Sequence, residues 1–126
     1  MMLQRSASIV LAVLMTVVSA RAVAPDISGK WTATFDTQIG EQTYTYDFVV
    51  KGSTLTGKAK SNIGQARIVD GKIEGDTVTF VEILDFDGTD LRIEYKGTIV
   101  SADEIKFTRK VADAATPEAL VARRAK

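Results

Sequence analysis

The stretch TYTYDFVVKGSTL, residues 43–55, decides the fold. Aromatic or apolar side chains occupy every second position from Tyr44 to Val50, which is the period of a strand with one buried face. The sequence KGS then interrupts the pattern, and glycine tolerates the positive φ that tight hairpin turns require. A new alternating run starts at Leu55, so this stretch predicts a β-hairpin.

The same turn pattern recurs as IEGDTV at 73–78 and as VSADEI at 100–105. Residues outside the turns do not match, which indicates recurring hairpin chemistry and not a duplicated domain. Period-two alternation extends to the segments 30–36, 66–69, 78–84, 91–96 and 105–109. We therefore predict an all-β fold over residues 23–111. It is a small up-and-down antiparallel barrel of about eight strands, because closing a meander removes exposed strand edges.

The composition of the 126-residue chain narrows the function classes, because it contains no His and no Cys. This excludes a disulfide framework, a serine–histidine triad and a thiol nucleophile. The near balance of acids and bases, with no basic cluster, gives no electrostatic reason to expect nucleic-acid binding. The chain also lacks a phosphate-cradling glycine loop. We expect one non-catalytic domain without a cofactor, and the sequence does not indicate its oligomeric state.

Residues 1–22 have the pattern of a secretory signal peptide. A short basic start at Arg5 precedes an almost unbroken apolar run from Ile9 to Val18, and the small residues of Ser19-Ala20 and Ala20-Arg21-Ala22 offer cleavage sites. The run is short for a membrane span, although an uncleaved membrane anchor is the alternative. The pattern predicts a secreted or periplasmic protein with no stable membrane insertion after cleavage.

Residues 112–126 have a different pattern, which predicts a short C-terminal helical tail. Its TPE sequence offers a hydroxyl N-cap, a proline at the first helical position and an acid in the first turn, and basic residues follow at the end. Leu120 and Val121 would dock this helix on Val81 and Ile83 of the barrel. The alternatives are a frayed tail or a weak basic anchor for an acidic surface.

Four polar side chains fall on otherwise apolar strand faces: Tyr44, Tyr46, Glu82 and Arg109. A buried charge must be paired or bind something. In one hypothesis Tyr44, Tyr46 and Glu82 line a cavity and bind a polar small molecule. In another, Glu82 forms an internal ion pair with Arg109. A bulge near Val81 would instead turn Glu82 outward.

Other acidic residues have weaker claims to a function. Glu94 lies on the strand after Glu82, but its alternation points it to the opposite face, which argues against a paired-carboxylate hydrolase. The loop DFDGTD at 85–90 contains three carboxylates around a glycine. Its spacing does not match a calcium-binding EF-hand loop, and the same residues suit a hairpin turn, so we expect a turn and no metal site.

Gly29-Lys30-Trp31 opens the first strand, and Arg109 lies in the last alternating run. First and last strands are neighbours in an up-and-down barrel, so Arg109 is predicted to stack on Trp31 and close the barrel. Here the chain resembles the calycin superfamily of lipocalins, fatty-acid-binding proteins and avidins, whose hallmark is a G-x-W with a basic residue of the last strand across the tryptophan. The resemblance implies a structural role for this pair.

The segments ISGKW at 27–31 and LTGKAKSNIGQA at 55–66 follow an avidin-like order, although one Trp does not supply an avidin-like biotin clamp. The chain as a whole also resembles small exported bacterial β-barrel domains of unassigned function, found alone or appended to secreted carbohydrate-active enzymes. The resemblance implies a binding domain for a small molecule or glycan fragment in or at the mouth of the barrel. The alternative is a structural or interaction module that supports a secreted enzyme or an envelope complex.

Overall fold

The computed structural model describes residues 25–114 and 116–126. They form one closed antiparallel barrel in which each strand pairs with its neighbours in sequence and β8 returns to β1. The predicted all-β, eight-stranded, up-and-down barrel is thereby confirmed. The strands are β1 (Gly29–Thr37), β2 (Gly40–Lys51), β3 (Thr54–Ser61), β4 (Gly64–Glu74), β5 (Thr77–Phe86), β6 (Thr89–Ser101), β7 (Glu104–Val111) and β8 (Glu118–Arg124).

The hairpin turns lie where the sequence pattern places them. The three related turns join β2 to β3, β4 to β5, and β6 to β7. The acidic loop is the two-residue turn between β5 and β6, where Asp87 (φ 56°) and Gly88 (φ 82°) both adopt left-handed backbone. This is the backbone that two-residue hairpins favour, and the carboxylate of Asp85 accepts a hydrogen bond from the amide of Gly88.

The up-and-down order gives the barrel two different ends. The open end carries the β1–β2, β3–β4 and β5–β6 turns and the longer β7–β8 connection, residues 112–117. The other end carries the three related turns and the residues that precede β1. Ile27 is fully buried there, and its carbonyl accepts a hydrogen bond from the indole Nε1 of Trp31 at 2.9 Å. We call this second end the closed end.

Aromatic side chains fill the centre of the barrel. On β2, the rings of Tyr44, Tyr46 and Phe48 stack in a row with centroids 5.3 and 5.6 Å apart. From β5 and β6, Phe80 and Tyr95 stack at 4.3 Å. Every one of these side chains is buried, so the middle of the barrel is a packed core and not an open cavity.

Gly97 in the middle of β6 lets the neighbouring strand pack closely. A Cβ atom built at this position would lie 2.3 Å from Cδ1 of Phe107 on β7. The Phe107 ring occupies the space that any side chain at position 97 would need. A glycine in a strand interior often marks such a close approach.

The C-terminal segment is not the predicted helix, because Glu118–Arg124 forms β8. Leu120 and Ala122 are buried at period two, and β8 pairs with both β7 and β1. The segment therefore does not dock on Val81 and Ile83, and the barrel extends beyond the predicted boundary at residue 111. Pairing to two open strand edges outweighs the weak helix preference of a short alanine-containing segment.

The prediction for the N-terminal sequence is not addressed by this fold. The proposed signal peptide, residues 1–22, lies outside the described residues. Over the ranges 25–114 and 116–126, no helix is long and apolar enough to cross a membrane.

The seam between β1 and β8 is short, with the register pairs Trp31↔Arg124 and Thr32↔Arg123. The guanidinium of Arg124 lies 4.6 Å from the ring centroid of Trp31, a cation–π contact. It also donates to the carbonyls of Ser28 and Ala102 at 2.9 Å. The predicted partner of Trp31 was therefore wrong. Arg124 of β8 covers the tryptophan, and Arg109 lies on β7, the last strand but one.

Candidate functional site

A buried polar network crosses the packed centre of the barrel, and Glu82 of β5 is its acceptor. Glu82 is 0% exposed. The hydroxyl of Tyr44 donates to its Oε2 at 2.9 Å, and that of Tyr95 donates to its Oε1 at 2.8 Å. Nη1 of Arg109 lies 3.7 Å from the same Oε1. The Glu82–Arg109 ion pair that the sequence suggested is present. The register between β4 and β5 does shift beside Val81, but Glu82 still points inward.

The hydrogen bonds at Tyr95 fix the direction of the network. Its hydroxyl accepts from Nη1 of Arg109 at 2.8 Å and gives its only hydrogen to Glu82. The 2.9 Å contact with the hydroxyl of Tyr46 must therefore have Tyr46 as the donor. Tyr95 accepts two hydrogen bonds and donates one, which leaves it no capacity for a ligand.

Arg109 links this network to the open end of the barrel. Its Nε donates to Oε1 of Glu118 at 2.8 Å, and the side chains of both residues are buried. The guanidinium also lies 5.1 and 5.0 Å from the ring centroids of Phe35 and Tyr44. It is also 5.5 Å from the ring centroid of Tyr95, so two carboxylates and three aromatic rings surround one cation, an arrangement that compensates its burial.

Burial controls the titration of the network. It raises the pKa of Tyr44 to about 12, with the charge of Glu82 adding to the effect, and raises those of Tyr46 and Tyr95 well above their ordinary value. The three hydroxyls therefore stay protonated and act as hydrogen-bond donors near neutral pH. Burial also raises the pKa of Glu82, although its hydrogen bonds and Arg109 oppose that shift.

The structure brings together the three residues that the sequence grouped as a ligand site, but only one of them lies beside a cavity. Tyr46 and Glu82 are fully buried, and their polar atoms are satisfied within the network. Tyr44 is also buried, but it lines a cavity at the open end of the barrel. Of the three residues, Tyr44 is therefore the one that a ligand can reach, and the ligand does so at the end of the barrel.

This open-end cavity has a volume of about 110 Å³. Its floor includes Tyr44 and Arg109, and its rim carries three exposed apolar side chains from three different turns and strand ends. They are Ile39 at 58%, Ile63 at 36% and Phe86 at 42% exposure. Apolar groups that gather around an opening lined with a few polar groups are typical of a ligand entrance.

Gln42 of β2 differs from the other polar residues of this cavity because it is buried and part of its side chain has no hydrogen-bond partner. It occupies the inward position before Tyr44 and is only 6% exposed. Its Oε1 is the one buried side-chain nitrogen or oxygen without a hydrogen-bond partner in the described part of the chain. Such an unpaired buried acceptor costs about 1–3 kcal/mol, so its presence beside a cavity needs a reason.

The remaining acidic residues do not form a second site. Glu94 is exposed and pairs in register with Val81, on the opposite face from Glu82, as its alternation predicts. Among the residues that the structure describes, no group of three or more acidic side chains is arranged to hold a metal ion.

Sequence reasoning missed Gln42, Glu118 and the apolar rim. Two signals were present. Gln42 continues the inward row of Tyr44 and Tyr46 but carries an amide. Ile39 and Ile63 each precede a glycine within a turn, where polar residues are usual, and both end up at the same end of the barrel.

Comparisons with known proteins define the fold and leave the family open. No protein-family model and no curated protein match the chain. A solved structure described as a redesigned β-barrel is similar, with a TM-score of 0.64 and 17% sequence identity over 79% of this chain and 91% of that chain. At that identity the likeness supports the closed-barrel fold alone.

Proposed function

We propose that this protein is a non-catalytic binding protein that holds a small, mostly apolar molecule at the open end of its barrel. The observation that carries the proposal is the cavity beside the unpaired amide of Gln42, surrounded by exposed Ile39, Ile63 and Phe86. Exposed apolar side chains that converge on one opening bury their surface when a ligand covers them.

The size of the cavity limits how the ligand binds. Its volume of about 110 Å³ is below the roughly 150 Å³ of a cavity that holds benzene. One group of the ligand therefore enters, and the rest of the molecule lies against the rim. The apolar rim favours a hydrophobic molecule over a glycan fragment, which would need several polar partners there.

The proposal contains no catalytic step, because the carboxylates at the site are already engaged. Glu82 accepts hydrogen bonds from two tyrosines, and Glu118 is paired with Arg109. The placement of this protein among secreted, calycin-like barrels is part of the proposal. It is supported by the Trp31–Arg124 stack on the first and last strands and by the sequence pattern of residues 1–22.

A structural or interaction module remains the second candidate, and the packed core of the barrel favours it. A barrel whose centre is filled by stacked rings is rigid and needs no ligand to fill it. The two candidates differ at the open end, where a scaffold has no use for an unpaired buried acceptor.

A thermal-shift screen of the purified protein against small aromatic, aliphatic and sugar molecules tests the proposal. A ligand at about ten times its Kd raises the free energy of unfolding by about 1.4 kcal/mol. Phe86→Ser should weaken binding of any hit, because it removes part of the rim. Val100→Ser is the matched control, since Val100 is 51% exposed and lies on β6 near the closed end. The absence of any stabilising molecule, or equal effects of the two variants, would contradict the proposal.

A further inference from the structure

The unpaired acceptor of Gln42 indicates which chemistry the open-end cavity selects. The inward row of β2 continues from Gln42 through Tyr44, Tyr46 and Phe48, so an apolar side chain would suit this position as well. Instead the chain buries an amide whose Oε1 has no partner among the residues described. A ligand group that donates a hydrogen bond to Oε1 removes the desolvation cost of that atom.

The other polar groups around the cavity have no comparable need. The hydroxyl of Tyr44 donates to Glu82, and Nε of Arg109 donates to Glu118. The second oxygen of Glu118 accepts the backbone amide of Gln38 at 3.1 Å. Gln42 is therefore the group that lacks a hydrogen-bond partner, and its Oε1 needs a donor.

The charges around the cavity act against an anionic ligand. Arg109 is the single cation among the described residues that line it, and it is paired with Glu118 and lies 3.7 Å from Glu82. A carboxylate would meet no uncompensated positive charge and would come close to Glu118. Desolvating an anion without a partner is costly, so charge selects against it.

We infer that the open-end cavity binds an uncharged, mostly apolar molecule whose hydroxyl group donates a hydrogen bond to Oε1 of Gln42. The inference rests on the proposed function and specifies its ligand class. The donor enters the cavity beside Tyr44, and the apolar body of the molecule packs on Phe86 and the other rim residues. This arrangement discriminates between molecules of equal size by one hydrogen bond.

Four probes of similar size test this chemistry: phenol, anisole, toluene and benzoate. Phenol donates a hydrogen bond, anisole only accepts one, toluene does neither, and benzoate is an anion. Titrations of the purified protein followed by two-dimensional NMR measure each Kd from the backbone amide signals of Ile39 and Phe86. Phenol should bind about tenfold more tightly than anisole or toluene, the ratio that one net hydrogen bond provides, and benzoate should bind most weakly.

Gln42→Leu is the decisive variant, and Gln38→Leu is its matched control. Gln38 lies at the same opening but is exposed and contributes only its backbone amide to Glu118. Gln42→Leu should bring the Kd of phenol to that of anisole and should raise the Tm of the free protein, because it removes an unpaired buried acceptor. Gln38→Leu should preserve the preference for phenol.

The outcomes separate this inference from the proposed function. If anisole or toluene binds as tightly as phenol, or if Gln42→Leu retains the preference for phenol, the site exists but the inferred hydrogen bond to Gln42 is wrong. Tightest binding by benzoate would overturn the charge argument. If no probe moves the signals of the rim residues at millimolar concentration, the proposed function itself fails.

Discussion

Replacing Tyr95 by phenylalanine tests the buried network at its centre. The substitution removes one oxygen atom and keeps the ring that stacks on Phe80 at 4.3 Å. That oxygen lies 2.8 Å from Oε1 of Glu82, 2.8 Å from Nη1 of Arg109 and 2.9 Å from the hydroxyl of Tyr46. The variant therefore loses three hydrogen bonds, two of which involve charged groups.

The expected loss of stability follows from those partners. Net contributions are about 1.5–3 kcal/mol for a hydrogen bond to a charged group and about 0.5–1.5 kcal/mol for a neutral one. Glu82 keeps the hydrogen bond from Tyr44, and Arg109 keeps its hydrogen bond to Glu118, so both charged groups still have a partner. We expect Tyr95→Phe to lower the free energy of unfolding by about 2–4 kcal/mol.

Tyr46→Phe is the matched control, because the Tyr46 hydroxyl ends the chain of donors and bonds Tyr95 alone. It should cost about 1 kcal/mol. The double variant should be no less stable than Tyr95→Phe, since Tyr46 has already lost its acceptor there. Urea unfolding followed by circular dichroism measures the free energy of unfolding of all three variants. The urea midpoint should shift while the slope of the free energy against urea concentration stays constant. Equal losses for the two single variants would refute the central place of Tyr95 in the network, and strictly additive losses in the double variant would refute its hydrogen bond with Tyr46.

Three further predictions concern the charge of Glu82, the β1–β8 seam and the packing of Gly97. Because burial raises the pKa of Glu82, the folded protein binds that proton more tightly than the unfolded chain, and stability falls as pH rises above the ordinary value of 4.5. Glu82→Gln should flatten this part of the pH profile, as urea midpoints between about pH 4 and 7 will show; an unchanged slope would assign it to other groups. Arg124→Lys should cost about 1–2 kcal/mol and change the fluorescence of Trp31, because lysine cannot bond two carbonyls while stacking on the indole; unchanged stability and emission would contradict this. Gly97→Ala should cost about 1–3 kcal/mol through the clash with Phe107, and Phe107→Leu in the same chain should recover part of that loss; a thermally neutral Gly97→Ala would show that the ring moves freely.

Alternation and turn chemistry were enough to predict most of the fold. Every second residue from Tyr44 to Phe48 points inward, and the three related turns join strands as expected. The error at β8 has a physical origin. Glu118–Arg124 lacks β-branched and aromatic residues apart from Val121, so its strand conformation comes from pairing with β7 and β1 and not from local preference.

The candidate site was predictable only in part. The period of the strands places Glu82 and Arg109 inside the barrel, but the stagger between strands decides which side chains meet. Arg124 covers Trp31 because the unpredicted strand β8 lies between β7 and β1. The rim of the open end comes from separate turns, which no single strand pattern joins. The unpaired state of Gln42 depends on all of its neighbours at once, so no local pattern reveals it.

The short β1–β8 seam also bears on how the protein folds. It joins the two ends of the described chain, whereas the other strand pairs join neighbours in sequence. Closing so long a loop carries the largest entropic cost, so hairpins form earlier and the ring of strands shuts late. Trp31, the single tryptophan of the chain, lies at that seam under Arg124. Its fluorescence emission during refolding should therefore report when β1 and β8 pair, separately from the earlier formation of the hairpins.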